Sequence, residues 1–148
     1  MKPKIRPAKK EDLDALLELE NITFKEETFH KNQLKYLLLK AKSLVLVASI
    51  ENRIVGSVII LLRDNISNAR IYSLNVHPEY RRRGLGSLLM ETSLRLLKER
   101  GFKKITLEVG VNNKAAQDLY ISKGFVMDKL LRKYYKNGGD AFHLINKL

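Results

Sequence analysis

Hydrophobic and polar residues change rhythm several times along this chain, and each change marks an element. Residues 4–8 read as a short first strand. Residues 11–20 then place Leu13, Leu16 and Leu17 at helical spacing, with acidic residues in the first turn where the helix dipole favours them. A second helix is predicted over 30–42, because Leu34, Leu37, Leu38 and Ala41 recur at three- and four-residue steps and form one apolar face. Residues 44–50 and 54–62 are β-rich runs joined by Glu51-Asn52-Arg53, short enough for a hairpin, and 69–77 adds a third strand, giving an antiparallel meander. The strongest helix covers 85–100. It turns Leu85, Leu88, Leu89 and Leu96 inward, carries basic residues in its last turn, and stops at Gly101. Residues 104–109 read as a strand, and 113–123 as a helix ending at Gly124. The runs 125–135 and 141–148 close the chain as a hairpin around Asn137-Gly138-Gly139. Seven strands and about four helices in this order predict a mixed α/β fold, not a repeating βαβ chain.

A chain of 148 residues suits one domain, 1–148, with a core of useful size. No apolar run approaches the roughly 18 to 20 residues of a membrane span. The first ten residues lack a signal-type hydrophobic segment and cysteine is absent, so a cytoplasmic protein is expected. The formal charge of +12 adds more. A field of that size draws polyanions and repels basic partners, so nucleic acid, a ribosome, an acidic protein or a phosphorylated cofactor all become candidates.

The first chemical signal lies between Val76 and Ser87. A strand ends near Pro78, and a loop punctuated by Gly84 and Gly86 opens directly into the strongest helix. Backbone N–H groups at such a helix start are unpaired and unshielded by Cβ atoms, which makes an anion site. Arg81, Arg82 and Arg83 add forked donors suited to phosphate. The terminal Lys-Ser/Thr of a P-loop is missing, and so are the three glycines of a dinucleotide fingerprint. A pyrophosphate suits the segment; taken alone, it would also suit a nucleic-acid backbone or a plain basic turn.

Arg81-x-x-Gly84-x-Gly86, after a strand ending at Val76 and before a leucine-rich helix, resembles the pyrophosphate motif of GNAT acetyltransferases. Leu107-Glu108-Val109, Asn113, Ala116, Leu119-Tyr120 and Gly124-Phe125 resemble the second half of the same fold. Arg132-x-Tyr134-Tyr135 with Asp140-Ala141 is similar to the ending of its protein N-terminal branch, in particular the ribosomal-protein-alanine (RimI-type) group. The resemblance spans about 71–148. Two positions depart from that group: Gly110 stands where arginine is frequent, and the amino-terminal stretch lacks its Pro-aromatic element.

The resemblance implies a central, mostly antiparallel seven-stranded sheet whose strands splay to form an acetyl-CoA cleft. Leu74, Asn75 and Val76 would lie along the pantetheine arm, with the Val76 N–H polarising the thioester carbonyl. Arg81, Arg82, Arg83, Gly84, Leu85, Gly86 and Ser87 would hold the pyrophosphate, and Asn113 would touch the pantetheine. Glu108 matches the family's proton acceptor. It alternates away from the apolar residues of its strand, and an α-amine, with a pKa near roughly 8, needs only a modest base. Tyr120 matches the donor that protonates the departing sulfur. Direct transfer in a ternary complex is implied, since no covalent nucleophile is visible. The three histidines lack metal spacing and are read as structural or surface residues, with no metal expected.

For the acceptor, Phe29, Tyr72, Tyr134 and Tyr135 are candidate groove residues, as is Phe24, and Glu26 and Glu27 are candidate acids to receive a basic terminus. The resemblance implies a protein N-terminal α-amine as acceptor, on a ribosomal protein among others. A small-molecule or lysine amine remains an alternative, as does a non-catalytic RNA- or ribosome-binding module on the same fold.

Overall fold

Strand β2 (Ser43–Ile50) is buried along nearly its whole length. Leu44, Leu46 and Ala48 enter one apolar cluster while Val45 and Val47 enter another. Alternate side chains of one strand therefore meet cores on both faces of a sheet, which explains an uninterrupted apolar run at this point of the sequence. The computed structural model describes residues 2–23 and 31–148, Asp64 by its backbone only. One face is covered by α1 (Leu13–Thr23) and α2 (Lys31–Leu39), through Leu13, Leu16, Leu34 and Leu37. The other is covered by α3 (Leu85–Glu99) and α4 (Lys114–Ser122), through Leu85, Leu89, Met90, Leu97 and Tyr120.

The remaining strands are β1 (Lys4–Pro7), β3 (Arg53–Arg63), β4 (Asn68–Val76), β5 (Lys104–Gly110), β6 (Val126–Leu131) and β7 (Ala141–Lys147). They form the expected seven-stranded sheet, in the order β1-β2-β3-β4-β5-β7-β6. The β2-β3-β4 meander is antiparallel as the short connections require. Among the described residues the parallel pair is β4 with β5, whose connection runs through α3.

That parallel pair is short. It holds from Asn68 opposite Lys104 to Arg70 opposite Thr106, although β4 continues to Val76, still paired with β3, and β5 continues to Gly110, still paired with β7. The strands part where β4 carries an extra residue: Ile60 faces Ile71 and Ile59 faces Ser73, so Tyr72 is left over. A bulge of this kind bends and overtwists its strand. The result is a wedge between β4 and β5, open toward their carboxyl ends.

Three boundaries differ from the sequence reading by three residues or more. Helix α2 stops at Leu39 rather than 42, because the N–H groups of Lys40 and Ala41 both return to the Tyr36 carbonyl and Ser43 Oγ donates to the Leu37 carbonyl. Its expected first residue, His30, lies outside the described residues. Helix α1 runs on to Thr23, whose hydroxyl donates back to the Leu19 carbonyl at 2.8 Å. Strand β6 ends at Leu131 rather than 135: Lys133 adopts φ 52°, Asp140 accepts its N–H, and Gly138 at φ 87° completes a wide loop in place of a tight hairpin. No helix is long and apolar enough to cross a membrane among the described residues.

Candidate active site

At the mouth of the wedge the chain leaves β4 and makes a tight turn over Pro78–Tyr80, capped by His77, whose Nδ1 accepts the Glu79 N–H at 3.1 Å. Arg82 and Gly84 then take left-handed backbone, φ 63° and φ 78°. The first hydrogen bond of α3 runs from the Leu88 N–H to the Gly84 carbonyl, so the amides of Leu85, Gly86 and Ser87 precede the helical ladder. A Cβ placed on Gly84 would meet nothing within 4 Å, so the loop is open at its centre. Amides that precede the helical ladder, at the positive end of a 15-residue helix, fit a pyrophosphate.

The three arginines divide. Arg81 Nε donates to the Val76 carbonyl at 3.2 Å and latches the end of β4. The Arg83 guanidinium lies 5.0 Å from the Tyr80 ring centre. The Arg82 side chain is exposed.

Gly84 and Gly101 both hold positive φ with open space around them, so alanine at either should cost only the left-handed backbone penalty, roughly 1–2 kcal/mol. Calorimetry on Gly84→Ala and Gly101→Ala should show similar losses of stability. Acetyl-CoA binding should weaken in the Gly84 variant alone, since Gly101 closes the far end of α3; equal binding by both would remove Gly84 from the cradle.

Helix α4 stands beside this cradle: a Cβ on Gly86 would lie 3.3 Å from Leu119 Cδ2. Asn113 caps the helix, its Oδ1 accepting the Ala116 N–H at 3.2 Å. Gln117 Nε2 donates to the Gly110 and Val111 carbonyls at 2.8 and 3.0 Å, tying α4 to the end of β5. Tyr120 is thereby held inward, edge-on to Phe125 with ring centres 5.9 Å apart. Burial, with Tyr135 nearby, pushes its phenol up to about 12, so the proton stays on at neutral pH. The Tyr135 ring in turn lies against Gly110, 3.8 Å from where a Cβ would sit, an ordinary contact distance.

Across the sheet, Glu108 projects to the α1/α2 face next to the point where β4 and β5 part. Its Oε1 accepts from Arg70 Nε at 2.9 Å and is ion-paired with Arg70 Nη2 at 2.7 Å, with the Tyr134 hydroxyl at 3.4 Å. Its Oε2 lies 2.8 Å from His143 Nδ1, and because a carboxylate can only accept, Nδ1 carries the proton. Burial alone would lower the Arg70 guanidinium, but Glu108, by hydrogen bond and charge, and Tyr134 behind it raise it above its ordinary value. Arg70 also donates to the Tyr134 hydroxyl at 3.2 Å and lies over the Tyr72 ring, whose own hydroxyl receives Gln33 Nε2. His143, read from sequence as a structural or surface residue, thus belongs to the Glu108 cluster. It was not legible locally, and neither was Arg70.

A second carboxylate was also missed. Glu20 is fully buried on α1. Its Oε1 accepts the Ser73 hydroxyl at 3.1 Å, and its Oε2 has no hydrogen-bond partner among the described residues. Burial drives its carboxyl up to about 7, against the opposing pull of Ser73 and Asn75. The signal was present: Glu20 falls four residues after Leu16 and seven after Leu13, on the inward stripe of the helix. Asn75, expected along the pantetheine, turns its side chain into this same layer, accepting from Ser57 Oγ and donating to Thr23 Oγ1. Leu74 and Val76 face the opposite core. Phe24, Glu26, Glu27 and Phe29 lie outside the described residues.

The sequence profile of the acetyltransferase (GNAT) family matches residues 11–125. The chain belongs to this family. It is 34% identical over 122 residues to N-alpha-acetyltransferase 30 of Schizosaccharomyces pombe, a match covering 80% of this chain and 81% of that protein. The ribosomal-protein-S18-alanine N-acetyltransferase of Escherichia coli superimposes with a TM-score of 0.90 at 25% identity, over 99% of this chain and 94% of its own. A NatC complex bound to Gag peptide and CoA contains a chain that superimposes with a TM-score of 0.85, also at 25% identity, covering 100% of this chain and 99% of that one. The fold is the GNAT fold, and the chain is an N-acetyltransferase with acetyl-CoA as its cosubstrate.

Proposed function

We propose that this enzyme acetylates the α-amino group at protein N-termini. The observation that carries the reading is the Glu108 cluster, set on the acceptor face where β4 and β5 part and within reach of Tyr134 of the 132–140 loop. The N-alpha-acetyltransferases and the S18-alanine enzyme among its relatives support the choice of acceptor.

Acetyl-CoA supplies an acetyl group activated as a thioester. The amides of residues 85–87 and the turn at Arg82 to Gly84 would hold its pyrophosphate, Leu74 and Val76 offer main-chain partners along the edge of β4 that β5 leaves free, and the Val76 N–H would polarise the thioester carbonyl. Asn113 serves through the cap that starts α4. Glu108 takes the ammonium proton through a water at Oε2, which accepts one bond from His143 and keeps a second lone pair free. Arg70 and His143 are positioning residues that hold this carboxylate in one rotamer. Tyr120 Oη donates a proton to the departing sulfur, a task for which a phenol that stays protonated is suited. Tyr72, Tyr134 and Tyr135 line the entry of the peptide.

The test combines binding and acceptor choice. Acetyl-CoA should raise the melting temperature saturably, as RT ln(1 + [L]/Kd), and adenosine should not. With acetyl-CoA present, a peptide with a free N-terminus should be acetylated at the α-amine, while the same peptide with a blocked terminus and an internal lysine, or a polyamine, should not turn over. Turnover of the lysine or polyamine at the higher rate would overturn the N-terminal assignment and leave the enzyme class standing.

A further inference from the structure

We infer that the end of the sheet opposite the mouth of the acetyl-CoA wedge binds the phosphate backbone of folded RNA, independently of acetyl transfer. The wedge opens at the carboxyl ends of β4 and β5. At their amino ends the chain gathers Arg63 at the end of β3, Lys98 and Arg100 at the end of α3, Lys103 and Lys104 entering β5, and Lys147 at the end of β7. The backbone binds these elements together: the Lys103 N–H donates to the Ser67 carbonyl at 2.8 Å, and the Leu148 N–H donates to the Lys103 carbonyl at 2.9 Å. Arg63 stands opposite Asn68, Asn68 opposite Lys104, and Lys104 directly opposite Lys147.

Two features separate this corner from an ordinary solvated surface. Like charges placed directly opposite on paired strands destabilise a sheet, yet Lys104 and Lys147 are so placed. No ion pair is formed by any of the six cations among the described residues; the acidic side chain described at this end, Glu99, reaches Arg95 instead. The group is a fixed positive cluster on rigid elements, five of its six members exposed.

The kind of polyanion follows from shape. The six cations sit on or next to strands of the sheet or at the end of α3, which is packed against it, so none lies on a free helix or ribbon able to enter a DNA major groove, and the β3–β4 connection is a single short turn. RNA duplexes are recognised by shape and phosphate contacts without such insertion. A cluster of lysines is also unlike the core of a protein interface, from which lysine is depleted.

The test is fluorescence anisotropy with a 20-base-pair RNA duplex, a DNA duplex of the same sequence, and vesicles containing anionic lipid, across a salt series. Expected is RNA binding that weakens steeply with salt and exceeds DNA and vesicle binding. The variant Arg100→Gln, Lys103→Gln, Lys104→Gln, Lys147→Gln should reduce RNA affinity by roughly tenfold or more and flatten the salt slope by about one for each phosphate no longer neutralised. Its acetyl-CoA thermal shift and peptide acetylation should be unchanged, and saturating acetyl-CoA should not displace RNA from the parent protein. Removing the Lys104–Lys147 repulsion should leave the melting temperature equal or higher, which separates loss of binding from loss of fold. Binding of DNA or vesicles as tight as RNA, RNA affinity indifferent to the four substitutions, or competition by acetyl-CoA would each overturn the assignment.

Discussion

Glu108→Gln should lower kcat by about 100-fold to 10,000-fold, the range for loss of a positioned acid or base, and should make the residual rate climb with pH. With the carboxylate present, a bound ammonium can be deprotonated in the complex, so kcat at saturating peptide stays level below the amine's own pKa. Without it, only the fraction already neutral reacts, and for an α-amine near roughly 8 that fraction rises about tenfold per pH unit up to that value. A carboxamide also turns one N–H pair toward Arg70 or His143, both donors, so some stability will go with the activity. The pH profile distinguishes the two effects, since a structural defect would lower the rate equally at all pH values. A flat profile in the variant would assign the proton to another acceptor. Tyr120→Phe should also reduce kcat, with little change in acetyl-CoA affinity, because its ring packing against Phe125 is retained and only the hydroxyl is removed.

Glu20→Gln should stabilise the protein at pH 8 and do almost nothing at pH 4. The native carboxyl is held up to about 7 by burial, from an ordinary value of 4.5. Below about 4.5 both native and unfolded chains are protonated here, so the shift has no consequence. As the pH rises toward 7 the unfolded chain ionises and the native chain does not. Native stability then falls by about 1.4 kcal/mol per pH unit, and the loss is complete once the native carboxyl ionises. The total is roughly 3 kcal/mol, which for a chain of this size corresponds to about 6–12 °C in melting temperature. Glutamine keeps the shape and cannot ionise, so its stability curve should lack this descent. Calorimetry from pH 4 to 8 on both proteins decides it. A variant less stable than the parent at pH 8 would mean that the charged carboxylate is held by partners and that the orphan Oε2 is not its native condition.

The two carboxylates show where sequence reading succeeds and where it stops. Glu108 was marked by its strand, because alternation within Ile105 to Val109 fixes which face it takes, and by its match to a family motif. Its company was hidden. Arg70 is 38 residues away, His143 35 and Tyr134 26, and nothing local announces that three such segments converge. Glu20 lay in plain view on the apolar stripe of α1, but its partner Ser73 is 53 residues distant, so its burial could be suspected and its environment could not. Asn75 shows the converse. Its place beside Val76 was legible, while the direction of its side chain depended on the extra residue at Tyr72, which shifts the alternation of β4 by one.

What the sequence determined by itself was everything set by near neighbours. Helix phase follows from residues three and four apart, the turn at Gly84 from the backbone freedom of one residue, and the proposed phosphate cradle from a strand, a turn and a helix consecutive in the chain. The tertiary structure alone decided which distant strands became neighbours. The insertion of β7 between β5 and β6 sets His143 against Glu108, the short parallel contact of β4 with β5 opens the wedge, and the same contact gathers the basic corner at its closed end. These are consequences of strand order and register. They depend on burying both faces of one sheet at once, a property of the whole chain that no local window contains.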